Sequence, residues 1–251
     1  MTATVPVVRR ADVDAALATV IDPELDEPVT DLGFVTECAV RDGHVLVRLR
    51  LPTAFCSPNF AYLMASDAYD AIRELRGVRS VRVLLDDHHD SDRINAGVAS
   101  GNGFMAAYPE EAAGELDVLR RTFQVKAHSA FIERVCTIVL GQHGWNVEDL
   151  GRLTIADLPP GRPRDGLVKR RADIGLSCDP GDRVMVDERG TPWRDDQIPM
   201  KLRFAKAIRI SMDGNAHFCR GLLRTRYPDA VPDQHPRVQD SYANDTTEGT
   251  G

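Results

Sequence analysis

The hydrophobic pattern of the chain changes character three times. From Asp12 to Ile21, Val13, Ala16, Leu17 and Val20 recur on one helical face, which predicts a short helix. Pro23 and Pro28 then impose an irregular stretch. A strand is predicted over Asp31 to Val40, followed by a hairpin bend at Arg41-Asp42-Gly43-His44. His44 to Leu51 alternates cleanly, with Val45, Val47, Leu49 and Leu51 on one side and Arg48 and Arg50 on the other. That is the signature of a half-buried strand. Ser57 and Pro58 open a helix whose face carries Phe60, Leu63, Met64, Ala68, Ala71, Ile72 and Leu75, and Gly77 ends it. Val81, Val83 and Leu85 make a third strand. The order α-β-β-α-β over residues 1–87 predicts a small α+β domain with its sheet covered on one face.

Residues 88–110 read as a linker. They combine the polar Asp86 to Asp90 run with the small-residue run Gly97-Val98-Ala99-Ser100-Gly101-Asn102-Gly103, taken as a hinge. Residues 111–228 read as mainly helical. Helices are expected over Glu111–Arg121, Ala127–Leu140, Ile198–Ile210 and Asn215–Tyr227, with a short hairpin around Arg183 to Gly190. Residues 229–251 are polar, contain proline, lack a hydrophobic pattern and read as a disordered tail.

Composition narrows the function classes. The 251 residues carry 31 Lys and Arg against 38 Asp and Glu, a net charge of -7. That disfavours a broad phosphate-backbone partner, so no nucleic acid is expected. No apolar run approaches a membrane span, and the N-terminus shows no secretory apolar core. The five cysteines are odd in number and form no CxxC pair, which points to a reducing, cytoplasmic setting.

The most specific chemistry lies in three segments: Asp22-Pro23-Glu24-Leu25, Asp31-Leu32-Gly33-Phe34-Val35, and Pro52-Thr53-Ala54-Phe55-Cys56-Ser57-Pro58. The last leaves a strand, turns and opens a helix, with Cys56 just ahead of the cap at Ser57. The positive end of a helix favours thiolate, the form that binds metal or attacks an electrophile. Thr53 is placed to hydrogen-bond the sulfur. The plain alternative is a buried, inert cysteine. Asp22, Glu24 and Asp31 offer hard oxygen ligands for iron; equally, Asp before Pro commonly starts a turn and Asp31 caps backbone groups. His88 and His89, among Asp86, Asp87 and Asp90, form either a divalent-metal patch or a solvated charged loop. His217, Cys219 and Cys178 match no zinc knuckle, and Cys136 lies in an apolar run as a core residue. Arg162, Arg164 and Lys169-Arg170-Arg171 read as a basic loop. No G-x-S-x-G elbow or H-E-x-x-H occurs, and no catalytic triad is evident, so no enzymatic role is expected.

Taken in order, the DPEL segment, the DLGFV strand, the hairpin and the T-x-x-C-x-P loop resemble the iron–sulfur assembly proteins of the SufT and PaaD type over residues 12 to 87. The resemblance implies a non-catalytic role in delivering or inserting iron, or an iron–sulfur cluster bound transiently, into a client metalloenzyme. It also marks Cys56 as the functional thiol, with Asp22 and Glu24 at least partly structural. Two features depart from the family: Ser57 stands between Cys56 and Pro58, and no cysteine-rich C-terminal segment follows. Asp92 to Phe104 is similar to family relatives encoded beside bacterial multicomponent di-iron monooxygenases. That implies a maturation factor for a di-iron hydroxylase, with the helical region recognising the client and a homodimer allowed. A metal-free chaperone or scaffold for the same client is the competing expectation.

Overall fold

A computed structural model describes residues 7–101, 104–108, 115–142 and 144–228; the side chains of residues 105, 106, 115 and 142 are outside that description. The expected tail, 229–251, and the start of the expected helix at Glu111 lie outside the described residues. Among those described, residues up to Leu119 together with those from Gly214 onward form one compact unit, and Arg120–Asp213 form another. The fold is α+β: an N-terminal helix-and-strand region followed by a mainly helical one.

The first unit begins with α1 (Arg10–Leu17), which buries Val13 and Leu17. A two-residue ladder, β1 (Ile21–Asp22) against β2 (Glu27–Pro28), frames the DPELDEP segment. Residues 31–33 turn rather than extend, so the strand expected from Asp31 starts later, as β3 (Val35–Arg41). Gly33, at φ 75°, accounts for the delay, because a left-handed residue cannot sit in a strand. β3 pairs antiparallel with β4 (His44–Arg50) through a two-residue bend in which Asp42 and Gly43 both have positive φ. A side chain at Gly43 would meet the Gly77 carbonyl oxygen at 2.7 Å, so the bend is packed as well as twisted.

α2 (Pro58–Arg73) carries the chain to β5 (Ser80–Asp86), which joins β4 in parallel, giving the order β3-β4-β5. The alternation expected of β4 is observed: Val45, Val47 and Leu49 are buried beside Cys38, Val83 and Leu85. Ala61, Met64, Ala65, Ala68 and Ile72 of α2 close the same core. On the opposite face Arg48 bridges Glu37 at 3.3 Å and Asp86 at 2.6 Å, a cross-strand charge ladder.

Within the linker expected over residues 88–110, the described residues are instead built structure. α3 (Ser91–Ser100) buries Ile94, Gly97 and Val98, and α4 (Phe104–Ala107) follows. Glycine misled the sequence reading. A Cβ on Gly97 would stand 2.7 Å from the Ala107 Cβ and 3.1 Å from Tyr62, so this glycine is a packing contact and not a hinge. Gly101, at φ 65°, is the left-handed cap that ends α3. Asn95 of α3 accepts from the Leu85 amide at 2.7 Å and donates to the Leu85 carbonyl at 3.1 Å. It thereby satisfies one residue of the otherwise free edge of β5.

The second unit holds most of α5 (Glu115–Gln142), all of α6 (Arg162–Asp173) and the start of α7 (Ile198–Arg226). The expected pairs of shorter helices are thus two continuous ones. Phe131, Ile132, Val135, Cys136 and Val139 pack with Leu150, Leu153, Leu167, Val184 and Ile198. Burial pushes the Cys136 thiol up to about 12, as befits a core cysteine. The basic loop expected at Lys169-Arg170-Arg171 is helical, and Arg171 is buried, donating to the Ser177 and Arg183 carbonyls. The hairpin expected there reduces to a turn at Gly190 and a single Val186–Pro192 bridge.

Replacing Asn95 with Ala leaves the Leu85 amide and carbonyl unpaired at the edge of β5. The expected loss is about 1–2 kcal/mol of unfolding free energy in denaturant titration. Faster hydrogen exchange at the Leu85 amide should accompany it; unchanged exchange there would refute the edge-pairing role.

Candidate functional site

Parallel pairing of β4 and β5 brings both strands to the same end of the sheet, so the segments that follow them emerge side by side. After β4 comes the Pro52–Ser57 loop; after β5 comes the Asp87–Asp90 turn. The two are stitched together. The His89 amide donates to the Ala54 carbonyl at 3.0 Å, and His88 Nε2 lies 2.8 Å from the Cys56 carbonyl oxygen. His88 Nδ1 accepts from the Asp90 amide at 3.1 Å, which leaves the ring proton on Nε2 to donate to Cys56. Ser91 closes the turn by donating to the His88 carbonyl at 2.7 Å. Both ring nitrogens of buried His88 are therefore engaged, and this residue braces the thiol loop. His89 points outward, 3.4 Å from Asp90, and its ring lies 5.8 Å from that of Phe55.

Cys56 sits where sequence placed it, one residue ahead of Ser57, the N-terminal cap of α2, with Pro58 in the first turn. Ser57 makes no side-chain capping bond, so it positions the chain by backbone conformation alone. The Thr53 hydroxyl lies 3.5 Å from the Cys56 sulfur and also accepts from the Phe55 amide at 3.2 Å. Cys56 is only partly buried, and Phe55 beside it is 81% exposed. The thiol is thus neither sealed in aliphatic packing nor far from a helix start.

The carboxylates divide in role. Asp22 is buried and accepts from the Glu24 and Leu25 amides, both at 2.9 Å, shaping the turn between β1 and β2. Burial raises its pKa to about 6 despite those bonds. Asp31 accepts from the Thr30 hydroxyl at 3.1 Å. Glu24 is reached from the far end of the chain, where Asn215 donates to it at 3.3 Å. Among the described residues, no group of three or more His, Cys, Asp or Glu is arranged to hold a metal ion.

Sequence reasoning missed the contribution of α7. Its last turns belong to the first unit and bury Ala216 and Leu223 in that core. Arg220 pairs with Glu27. Arg226 donates to the Asp87 carbonyl at 2.6 Å and the Leu51 carbonyl at 3.4 Å, and the Tyr227 hydroxyl donates to Asp87 at 3.1 Å. The helix therefore runs from the DPEL turn to the base of the Cys56 loop. Cys219 lies on the inner face between these anchors. Burial, together with Asp22, Cys56 and Glu24, raises its pKa to about 11. The available signal was the spacing of Ala216, Cys219, Leu223 and Arg226, an inward-facing helical stripe.

Residues 10–85 match the family of iron–sulfur cluster assembly proteins. An uncharacterized protein of Methanocaldococcus jannaschii is 34% identical over 89 residues, 35% of this chain and 92% of that protein. An iron–sulfur cluster carrier protein of Mycobacterium leprae is 35% identical over 85 residues, 34% of this chain but only 22% of its own length. The family match ends at β5, so His88, α3 and the whole of α7 lie beyond it. No described helix is long and apolar enough to cross a membrane.

Asp22→Asn keeps an acceptor for both turn amides and removes the buried charge. The folded chain holds the Asp22 proton up to about pH 6, whereas the unfolded chain releases it near 3.8. Stability from this group is therefore full below pH 4 and lost as pH rises to 6. The variant should gain about 3 kcal/mol over the parent at pH 7, nothing at pH 3, and lose that slope in urea titrations. A variant less stable than the parent at pH 7 would show that the ionised carboxylate is held favourably.

Proposed function

Because the chain belongs through residues 10–85 to the iron–sulfur cluster assembly protein family, we propose that it is an accessory factor that delivers or inserts iron or an iron–sulfur cluster into a client enzyme. The observation that carries this reading is the placement of Cys56. Cys56 is only partly buried, lies at a helix start, and sits on a loop whose Ala54 and Cys56 carbonyls are pinned by the two histidines. Such a thiol is held in position without being consumed by packing, which suits transient ligation of a cargo that must leave again. The chain's own work is to present the sulfur, to hold Thr53 within reach of it, and to keep the loop rigid. The cargo needs further ligands, from the client or from a second copy of this chain.

In finer terms, the reading is of a SufT- or PaaD-type factor acting in the cytoplasm, with the hydroxylase subunit of a multicomponent di-iron monooxygenase as client. Co-expression of that hydroxylase with the full chain or with Cys56→Ala tests it by iron content per hydroxylase. Iron occupancy should fall several-fold with the variant. Occupancy and hydroxylase activity that stay level would remove the thiol from the mechanism.

A metal-free scaffold is the second reading. It is favoured by Met200 and Phe204 of α7, one helical turn apart, which are 54% and 65% exposed on a helix of the second unit. Exposed apolar side chains at such spacing suit a protein partner. Client capture and client iron content, read together for Cys56→Ala, separate the two: under the scaffold reading both stay level, and under the delivery reading capture persists while iron content falls; Phe204→Glu should lose capture if this helix face holds the client.

A further inference from the structure

The outer edge of β5, the last strand of the β3-β4-β5 sheet, is guarded at one end only. In a parallel ladder the residues of a strand alternate: one turns its N–H and C=O to the neighbouring strand, and the next turns both away. Asn95 of α3 takes both groups of Leu85, so Leu85 faces outward. The Ser80 amide faces inward, to the Gly43 carbonyl at 3.4 Å. The same alternation sends the backbone groups of Val81 and Val83 outward with those of Leu85. Among the described residues, nothing outside the sheet pairs with them. A cavity of about 230 Å³ lies along this stretch, lined by Tyr69 of α2, by Val81, Val83 and Leu84, and by Ala96 and Ala99 of α3. Ala96 and Ala99 are exposed and one helical turn apart, so α3 leaves room beside the strand where Asn95 no longer reaches. Arg82 points to the opposite face from Val81 and Val83 and is exposed. Residues 73–82 carry exposed Arg73, Arg76, Arg79 and Arg82 against Glu74 alone, in a chain of net charge -7. None of these four arginines has an ion-pair partner among the described residues.

We propose that the free edge of β5 at residues 81–84 binds an extended, acidic peptide segment of a partner protein, which adds to the sheet as a further strand. Asn95 already imitates the first step of that ladder. Its side-chain amide gives Leu85 the donor and the acceptor that a strand residue would give, and it closes the site at that end. Side chains of an added strand alternate between the two faces of the sheet. On one face, small apolar residues of the segment enter the cavity between Tyr69 and the two alanines. On the other, its carboxylates meet Arg82, with Arg79 and Arg76 towards the open end of the strand. Backbone hydrogen bonds to Val81 and Val83 supply affinity, while the cavity and the arginines select the sequence. The surface uses no residue of the Cys56 loop, so it stands whether the chain delivers a cargo or only holds a client.

The test uses the full chain and a fluorescein-labelled Glu-Val-Glu-Val-Glu-Val peptide, read by fluorescence anisotropy and by amide hydrogen exchange. Binding should slow exchange at Val81 and Val83 and leave Leu85, already held by Asn95, unchanged. Methylating the backbone nitrogens of one alternate set in the peptide should abolish binding for the set that faces β5. Arg82→Glu should weaken the acidic peptide about tenfold and favour a Lys-Val counterpart. Ala99→Trp fills the cavity from the exposed side of α3 and should abolish binding, with an unchanged urea midpoint showing that the fold is intact. Equal binding when either set is methylated, or exchange at Val81 and Val83 that the peptide leaves unaltered, overturns the proposal. Protection of the same two amides in the chain alone as its concentration rises also overturns it, because the edge then belongs to a second copy.

Discussion

The parallel contact between β4 and β5 is the constraint on which the site depends. An antiparallel partner would send its following segment to the opposite end of the sheet, away from the cysteine loop. Pairing runs in register from His44↔Ser80 to Arg50↔Asp86, so the two strands finish level with each other. The chain leaving β4 then has the chain leaving β5 as its immediate neighbour. Two backbone carbonyls of the loop, which water would otherwise satisfy, find fixed donors in the His89 amide and the His88 ring. Rigidity at Cys56 is in this sense a product of strand direction. The crossover helix α2 is the connection that makes parallel pairing reachable, and its start is where the thiol sits.

Local signals in the sequence were sufficient where neighbours along the chain decide the outcome. The alternation of Val45, Val47 and Leu49 and the Ser57-Pro58 helix start both appear as expected, because the pleat and the fixed backbone angle of a first-turn proline act over a few residues. The reading of Asp22 left a turn role open beside a ligand role, and the two amide bonds it accepts show the turn role at work. Failures came where distant partners decide. Gly97 looks like a hinge until Tyr62 and Ala107 are seen to occupy the space of its missing side chain. His88, read as either a metal-patch residue or part of a solvated loop, is buried, with the Asp90 amide and the Cys56 carbonyl at its two ring nitrogens.

The docking of α7 on the first unit depends more on apolar burial than on its charges. Arg220 and Glu27 are both about four-fifths buried, and withdrawing two charges from water offsets most of what their attraction returns. Ala216 and Leu223, at 1% and 0% exposure, carry no such penalty. Burying a leucine contributes about 2 kcal/mol. The ion pair instead fixes the rotation of the helix, because Arg220 meets Glu27 only when Cys219 faces inward. Burial holds the helix down; the charges determine which residues it presents.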